Sequence, residues 1–278
     1  MHALRSALLT LVVTALAAAW AGCGSSAPVD QLATPEQRFE AAKALYDKGD
    51  YQDAITALRT VTLQYSGTAV ADDAQYLLGE SHFNRGEYLL ASYEFSELRR
   101  LMPASPLVPD AQYRTAECYY MLSPKSTLDQ QYTRKALEEL QGALEYHPGH
   151  PSAKRAGEMI RELTNRVAKK AYDTAELYAR MEYFKASLFY YDDVIEKYHD
   201  TDYGPQAYLG KTRLLMDRSR YGEALNTINR FIEVQPNSVL RGQADLLKGQ
   251  IEAELAKVLG GKPGASVLPP ASSSTEPR

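Results

Sequence analysis

The chain has 278 residues, with 31 Lys+Arg against 35 Asp+Glu and a formal net charge of −4. That balance argues against a nucleic-acid partner, which asks for a basic face. The length suffices for one long domain or two short ones. Charged residues at 24% and hydrophobic residues at 45% are ordinary for a folded soluble protein, but 20 Tyr stand against 6 Phe and 1 Trp. A Tyr has an apolar ring and a polar tip, so it suits helix faces that are half buried or that meet a partner.

Met1-His2-Ala3-Leu4-Arg5 precedes an apolar run over residues 7–19. A basic start and a run of that length read as a secretory signal (residues 1–22), too short for a spanning helix. The run closes on Trp20-Ala21-Gly22-Cys23, which resembles the bacterial lipobox, although Trp20 stands where a Leu is usual. That resemblance implies cleavage before Cys23 and a covalent lipid there, N-acyl and S-diacylglycerol, as the only membrane anchor. Stable anchoring needs about two acyl chains. Gly24 follows the Cys in place of the Asp linked with inner-membrane retention, which implies the periplasmic face of the outer membrane. Residues 23–33 form a small, polar tether. The other cysteine, Cys118, sits in an apolar helical stretch and reads as a buried small hydrophobe.

Over residues 34–258 apolar positions recur at intervals of three and four, so this part is all-α. Asp47-Lys48-Gly49-Asp50-Tyr51 with Ala54 looks like the turn between the two helices of a tetratricopeptide repeat. Asn84-Arg85-Gly86-Glu87-Tyr88 with Ala91 and Phe95 is the best copy, with Leu78-Gly79 in its first helix and Pro103 after its second. The frame returns at Ala136 with Leu140, at Tyr183 with Ala186 and Tyr190, and at Tyr221 with Ala224 and Ile228. The spacings all exceed the usual period of about 34 residues, so these are repeats with insertions. The small residue lets the first helix approach, and the larger one four positions later fills the gap to the next hairpin. One hairpin cannot bury its apolar face alone, so the copies must stack.

The expected fold is therefore a right-handed tetratricopeptide-type solenoid of about five helical hairpins with a C-terminal capping helix. Repeats one to three would fill residues 34–150. Repeats four and five with the cap would fill 151–258, and residues 259–278, rich in Gly, Pro and Ser, would be a disordered tail. The third repeat carries an insert through Ser123-Pro124 to Gln131, where Ser126, Thr127 or Asp129 caps the helix that follows. The fourth opens on a long helix over about residues 151–180.

The lipobox, the insert ending Leu128-Asp129-Gln130-Gln131, the long helix leading into Lys169 and the pattern from Tyr183-Phe184-Lys185-Ala186 to Tyr198-His199-Asp200-Thr201 together resemble the BamD family, lipoproteins of the outer-membrane β-barrel assembly machinery. His199 departs from the Pro common in that pattern. The resemblance covers nearly all of the mature chain. It implies a scaffold whose C-terminal repeats dock on a BamA-type barrel protein. Its N-terminal repeats would meet unfolded outer-membrane protein precursors, and other assembly lipoproteins would join it. On this chain the docking position falls at Tyr190 and Tyr191. A stack of hairpins offers a concave face for an extended peptide, with Tyr46, Tyr76, His82, Tyr113 and Tyr119 as candidates to line it.

Catalysis and cofactors are not expected. H-E-x-x-H, G-x-S-x-G and phosphate-loop motifs are missing. His147-Pro148-Gly149-His150 lacks the further ligands a metal would need. The competing reading is a different periplasmic tetratricopeptide lipoprotein, one that organises cell-wall enzymes or a pilus secretin. The insert and the long helix disfavour it.

Overall fold

The computed structural model describes residues 34–260. The export signal, Cys23, the tether and residues 261–278 lie outside the described residues. Within them the chain forms eleven helices and, among the described residues, no strand. In chain order these are α1 (Pro35–Asp47), α2 (Tyr51–Gln64), α3 (Ala71–Asn84), α4 (Tyr88–Leu101), α5 (Val108–Leu122), α6 (Gln131–Tyr146), α7 (Ala153–Arg180), α8 (Phe184–Lys197), α9 (Tyr203–Asp217), α10 (Tyr221–Val234) and α11 (Arg241–Gly260). The first starts on a capping box. Thr34 accepts from the Gln37 amide, Gln37 reaches back to Thr34, and Pro35 takes the first helical position.

Four of the five hairpins share one turn. Gly49, Gly86, Glu182 and Ser219 have φ of 85°, 75°, 61° and 58°. Their amides bond back to Tyr46, Phe83, Ala179 and Met216, and the next amides to Leu45, His82, Tyr178 and Leu215, all at 2.8–3.0 Å. This is the Schellman closure of a helix. The residue after it begins the next helix, so one short sequence both ends a helix and starts its antiparallel partner.

Glu182 and Ser219 hold a left-handed conformation that costs a residue with a Cβ about 1–2 kcal/mol. Glu182→Gly should therefore stabilise the protein by about 0.5–1 kcal/mol after the entropy that Gly adds to the unfolded chain. A rise of about 2–3 °C in Tm is expected. An unchanged or lower Tm would mean that the Glu182 side chain itself holds the turn.

The described residues divide into two compact units, 34–111 and 112–260. The sequence reading put the boundary near residue 150, at the start of the long helix. The division into compact units falls in the first turn of α5, and the third hairpin shares its core with the first half of α7. Tyr113 and Ala116 pack there with Ala136, Leu140, Ala143, Ala156, Met159 and Leu163. In the first unit, α1, α2 and α3 close around Phe39, Ala54, Leu58, Val61 and Leu78. The second half of α7 pairs with α8, and α9, α10 and α11 complete a second core through Tyr191, Val194, Leu215, Ile228, Phe231 and Ile251. At 28 residues, or about 42 Å, α7 thus serves two cores, and α11 caps the last hairpin.

The insert between α5 and α6 is held from inside and from α7. Gln130 is 1% exposed and donates to the carbonyls of Lys125 and Leu128 while accepting from Thr133. Asp129, one of the three candidate caps, accepts from the Gln131 amide at 2.9 Å. Arg166 on α7 donates to the Ser123 hydroxyl and the carbonyls of Ser123 and Pro124. Cys118 is fully buried.

Candidate interaction surface

The repeat frame holds in hairpins one, two, three and five. Ala54, Ala91, Ala136 and Ala224 are all 0% exposed, and Leu58, Phe95, Leu140 and Ile228 four residues on are buried with them. Hairpin four runs one residue out of the expected register. Its left-handed residue is Glu182, two before Phe184, as Gly49 is two before Tyr51. The small core position is therefore Ser187 rather than Ala186, and the large one is Tyr191 rather than Tyr190. Ser187 is fully buried and donates to the Ala175 carbonyl across the helix pair at 2.9 Å.

This shift separates the two docking candidates. Tyr191 is 2% exposed, and an added Cβ on Gly210 of α9 would stand 2.6 Å from its ring. Its hydroxyl donates to Glu176, and its ring meets Tyr172 edge to face. Burial first, then Glu176, pushes the Tyr172 phenol up to about 12 and that of Tyr191 higher still. Both stay neutral at ordinary pH, and Tyr191 remains a donor to the carboxylate. Tyr191 is a core residue and leaves the docking surface.

Tyr190 stays half exposed and belongs to an aromatic patch. It stacks on Tyr178 of α7 with centroids 5.5 Å apart and planes 16° apart. Tyr183 stands edge-on to Tyr178 at 6.1 Å and 63°, and Phe189 edge-on to Tyr190 at 5.4 Å and 85°. Tyr183 and Phe189 are 57% and 66% exposed, and Leu177 and Met181 border them in the open. Arg180, Lys185 and Arg218 are exposed, and the guanidiniums of Arg218 and Arg220 lie 5.6 and 5.2 Å from the Phe184 ring centroid. Contiguous exposed apolar groups of this kind mark interaction sites more often than single exposed residues do. The sequence reading missed Tyr178, Tyr183 and Phe189 as surface. The signal was five aromatics within residues 183–191, more than one buried helix face can take.

The candidates for a peptide groove divide between the units. In the first, His82 is 4% exposed, with Nδ1 2.7 Å from Glu87. That bond, more than any other contact, holds the Glu87 carboxyl below its usual range. His82 therefore ties the end of α3 to the start of α4 and lines no groove. Tyr46 is half buried, meets Tyr51 edge-on and accepts from Asn84. Tyr76 is half buried against Phe95. Exposed apolar side chains of this unit also lie on α4, at Leu89, Leu90 and Tyr93.

In the second unit Tyr113 is 6% exposed. It donates to the carbonyls of Ala143 and His147 and stacks on His150 at 4.4 Å. It too is a packing residue, and His150 is part of that packing, its Nδ1 accepting from the Ser152 amide. Tyr119 stays half buried, stacked on Tyr132 with the Lys135 ammonium 5.4 Å from its ring centroid. Tyr46, Tyr76 and Tyr119 are thus partly exposed, whereas His82 and Tyr113 are buried.

Among the described residues no helix is long and apolar enough to cross a membrane. Residues 31–216 match the family model YfiO, described as an outer membrane lipoprotein. A relative from Vibrio cholerae, outer membrane protein assembly factor BamD, is 23% identical over 191 residues, covering 65% of this chain and 79% of that one. A TPR repeats protein from Bacteroides fragilis of known structure is 11% identical, with a TM-score of 0.47 over 80% of this chain and 99% of that one. The TPR2AB-domain:pHSP90-complex of yeast Sti1 is 15% identical, with a TM-score of 0.39 over 81% of this chain and 86% of that one.

Proposed function

Since the chain belongs to the YfiO family of outer membrane lipoproteins, we propose that it is a scaffold of outer-membrane protein assembly that docks on a BamA-type barrel protein through the Tyr178–Tyr190 patch. Cys23 carries the lipid that holds it at the periplasmic face. The first unit meets unfolded precursors, with Tyr46 and Tyr76 as contacts, and the protein catalyses nothing. The observation that carries the docking reading is the aromatic patch on α7 and α8, partly exposed, with the guanidiniums of Arg218 and Arg220 beside the adjoining Phe184 ring. Aromatic side chains beside arginine are the composition of interface hot spots.

The test is crosslinking in native membranes with a tag after Arg278, followed by mass spectrometry. A BamA-type barrel protein should dominate. Phe189→Ser with Tyr190→Ser should cut its recovery by roughly 30-fold, the equivalent of a 2 kcal/mol hot spot, while the circular dichroism stays unchanged. Cys23→Ser should release the protein from the membrane. Cell-wall enzymes or a secretin in place of the barrel protein would overturn the assembly role. Undiminished recovery from the double variant would overturn the docking surface alone.

A further inference from the structure

The insert, α7 and the start of α9 border a cleft of about 410 Å³, within the range of small-molecule sites at roughly 300–1,000 Å³. Arg166, Lys169 and Lys170 fall at intervals of three and four on α7, hence on one side of that helix. Lys125, Ser126 and Thr127 come from the insert and Tyr203 from α9. None of these residues belongs to the aromatic patch.

The acids around the cleft are already satisfied. Glu162 accepts from Arg166 on one oxygen and from the Tyr120 hydroxyl on the other, both at 2.6 Å. Both oxygens of Asp173 accept from Lys169, at 3.0 and 2.8 Å. Asp202 accepts from the Asn165 amide at 2.8 Å. Two cations are left over. Lys125 is exposed, and Lys170 reaches the Thr127 carbonyl at 3.4 Å. Among the described residues neither forms an ion pair. Donors are left over as well. Ser126 is 9% exposed, yet its hydroxyl makes no hydrogen bond among the described residues, and neither do those of Thr127 and Tyr203. Buried hydroxyls are ordinarily satisfied, so Ser126 points to an acceptor on a ligand.

Spare ammonium groups and hydroxyls discriminate among anions. A carboxylate is met best by the fork of an arginine, and the Arg166 fork is taken up by Glu162, Ser123 and Pro124. A phosphoryl group has more oxygens in more directions and suits point charges with several separate donors. The Tyr203 ring, with the Lys169 ammonium 5.6 Å from its centroid, offers the rest of such a molecule an apolar wall. We propose that this cleft binds a phosphate ester, with Lys125 and Lys170 answering its charge and Ser126, Thr127 and Tyr203 donating to its oxygens. The site is independent of the docking reading above.

The test titrates the ¹⁵N-labelled full chain, purified in a maltoside detergent and a buffer free of phosphate, and follows its backbone amides by NMR. The probes are glycerol 3-phosphate and dihexanoylphosphatidylglycerol, with acetate as the carboxylate control. Saturable shifts are expected at Ser126, Thr127 and Lys170, with a dissociation constant on the order of 1 mM or tighter. Saturation by glycerol 3-phosphate assigns a soluble ester as the source, and saturation by the lipid but not by glycerol 3-phosphate assigns a headgroup. Lys125→Ala with Lys170→Ala should weaken binding by about tenfold or more. Ser126→Ala changes no charge and should weaken it about tenfold, as for one hydrogen bond to a charged group, with the circular dichroism unchanged. If the lysine pair disturbs the insert, Ser126→Ala decides by itself. No saturable shift with either phosphate probe would overturn the proposal. So would equal shifts with acetate, or undiminished binding by Ser126→Ala, either of which leaves only unspecific attraction to lysine.

Discussion

Tyr191→Ala is expected to destabilise the protein by about 3–5 kcal/mol, while Tyr190→Ala next to it should cost only about 1. The first removes a ring that is 2% exposed and packed with Ala175, Val194, Ile195 and Leu215 in one core. Truncating a buried aromatic in such a place costs both the transfer of its surface and the cavity left behind. It also strips Glu176 of its hydroxyl donor, although that carboxylate is only partly covered and water can take the vacated bond. The second loses the stacked contact with Tyr178 and the edge contact with Phe189, both partly exposed and of the size usual for aromatic pairs. Hydrogen exchange should report the first change as lost protection across α7, α8 and α9, with α1 to α3 unaffected. Protein interaction should report the opposite order, since Tyr190 faces outward. Equal losses of stability from the two would mean that hairpin four keeps the register of a Tyr183–Ala186 frame after all.

That frame is where the sequence misled, and the reason is local. In hairpins one and two a Gly marks the left-handed turn residue, so the tyrosine two positions on is found without effort. In hairpin four the turn residue is Glu182, which carries no such mark, and Tyr183 imitates the tyrosine that Phe184 replaces. One residue is 100° around a helix, enough to exchange a core ring for a surface one. Helix number, the capping helix, the insert and the long α7 were legible because Pro, Gly and apolar periodicity act along the chain. Burial of His82 and Tyr113 was not. It depends on Glu87, and on Ala143, His147 and His150, and those pairings exist only once the hairpins close. Family resemblance pointed to α8 but could not choose between neighbouring tyrosines. The choice came from which of them the Ser187–Ala175 contact turns inward.

Gly79→Val carries the second large effect, and it falls on the other unit. Gly79 lies within α3, where a helix former would ordinarily gain about 1 kcal/mol over Gly. Here the added Cβ would come within 2.7–2.9 Å of three atoms of the Phe95 ring, and Phe95 is 0% exposed. The ring has no room to retreat, so α3 and α4 must separate or Phe95 must leave its rotamer. Overpacking of this kind costs about 1–3 kcal/mol for a small excess, and Val adds two further methyl groups to a place that cannot hold the first. A net loss of about 3 kcal/mol is expected, with Gly79→Ala at about 1–2. Phe95→Leu should partly rescue the Ala variant by trading ring volume for the new methyl, so the two changes should be less than additive. Loss of protection should be confined to α1 to α4, with α8 to α11 unchanged. If Gly79→Ala instead raises stability, the helix propensity outweighs the contact, and the close approach of α3 to α4 is not what the glycine is there to allow.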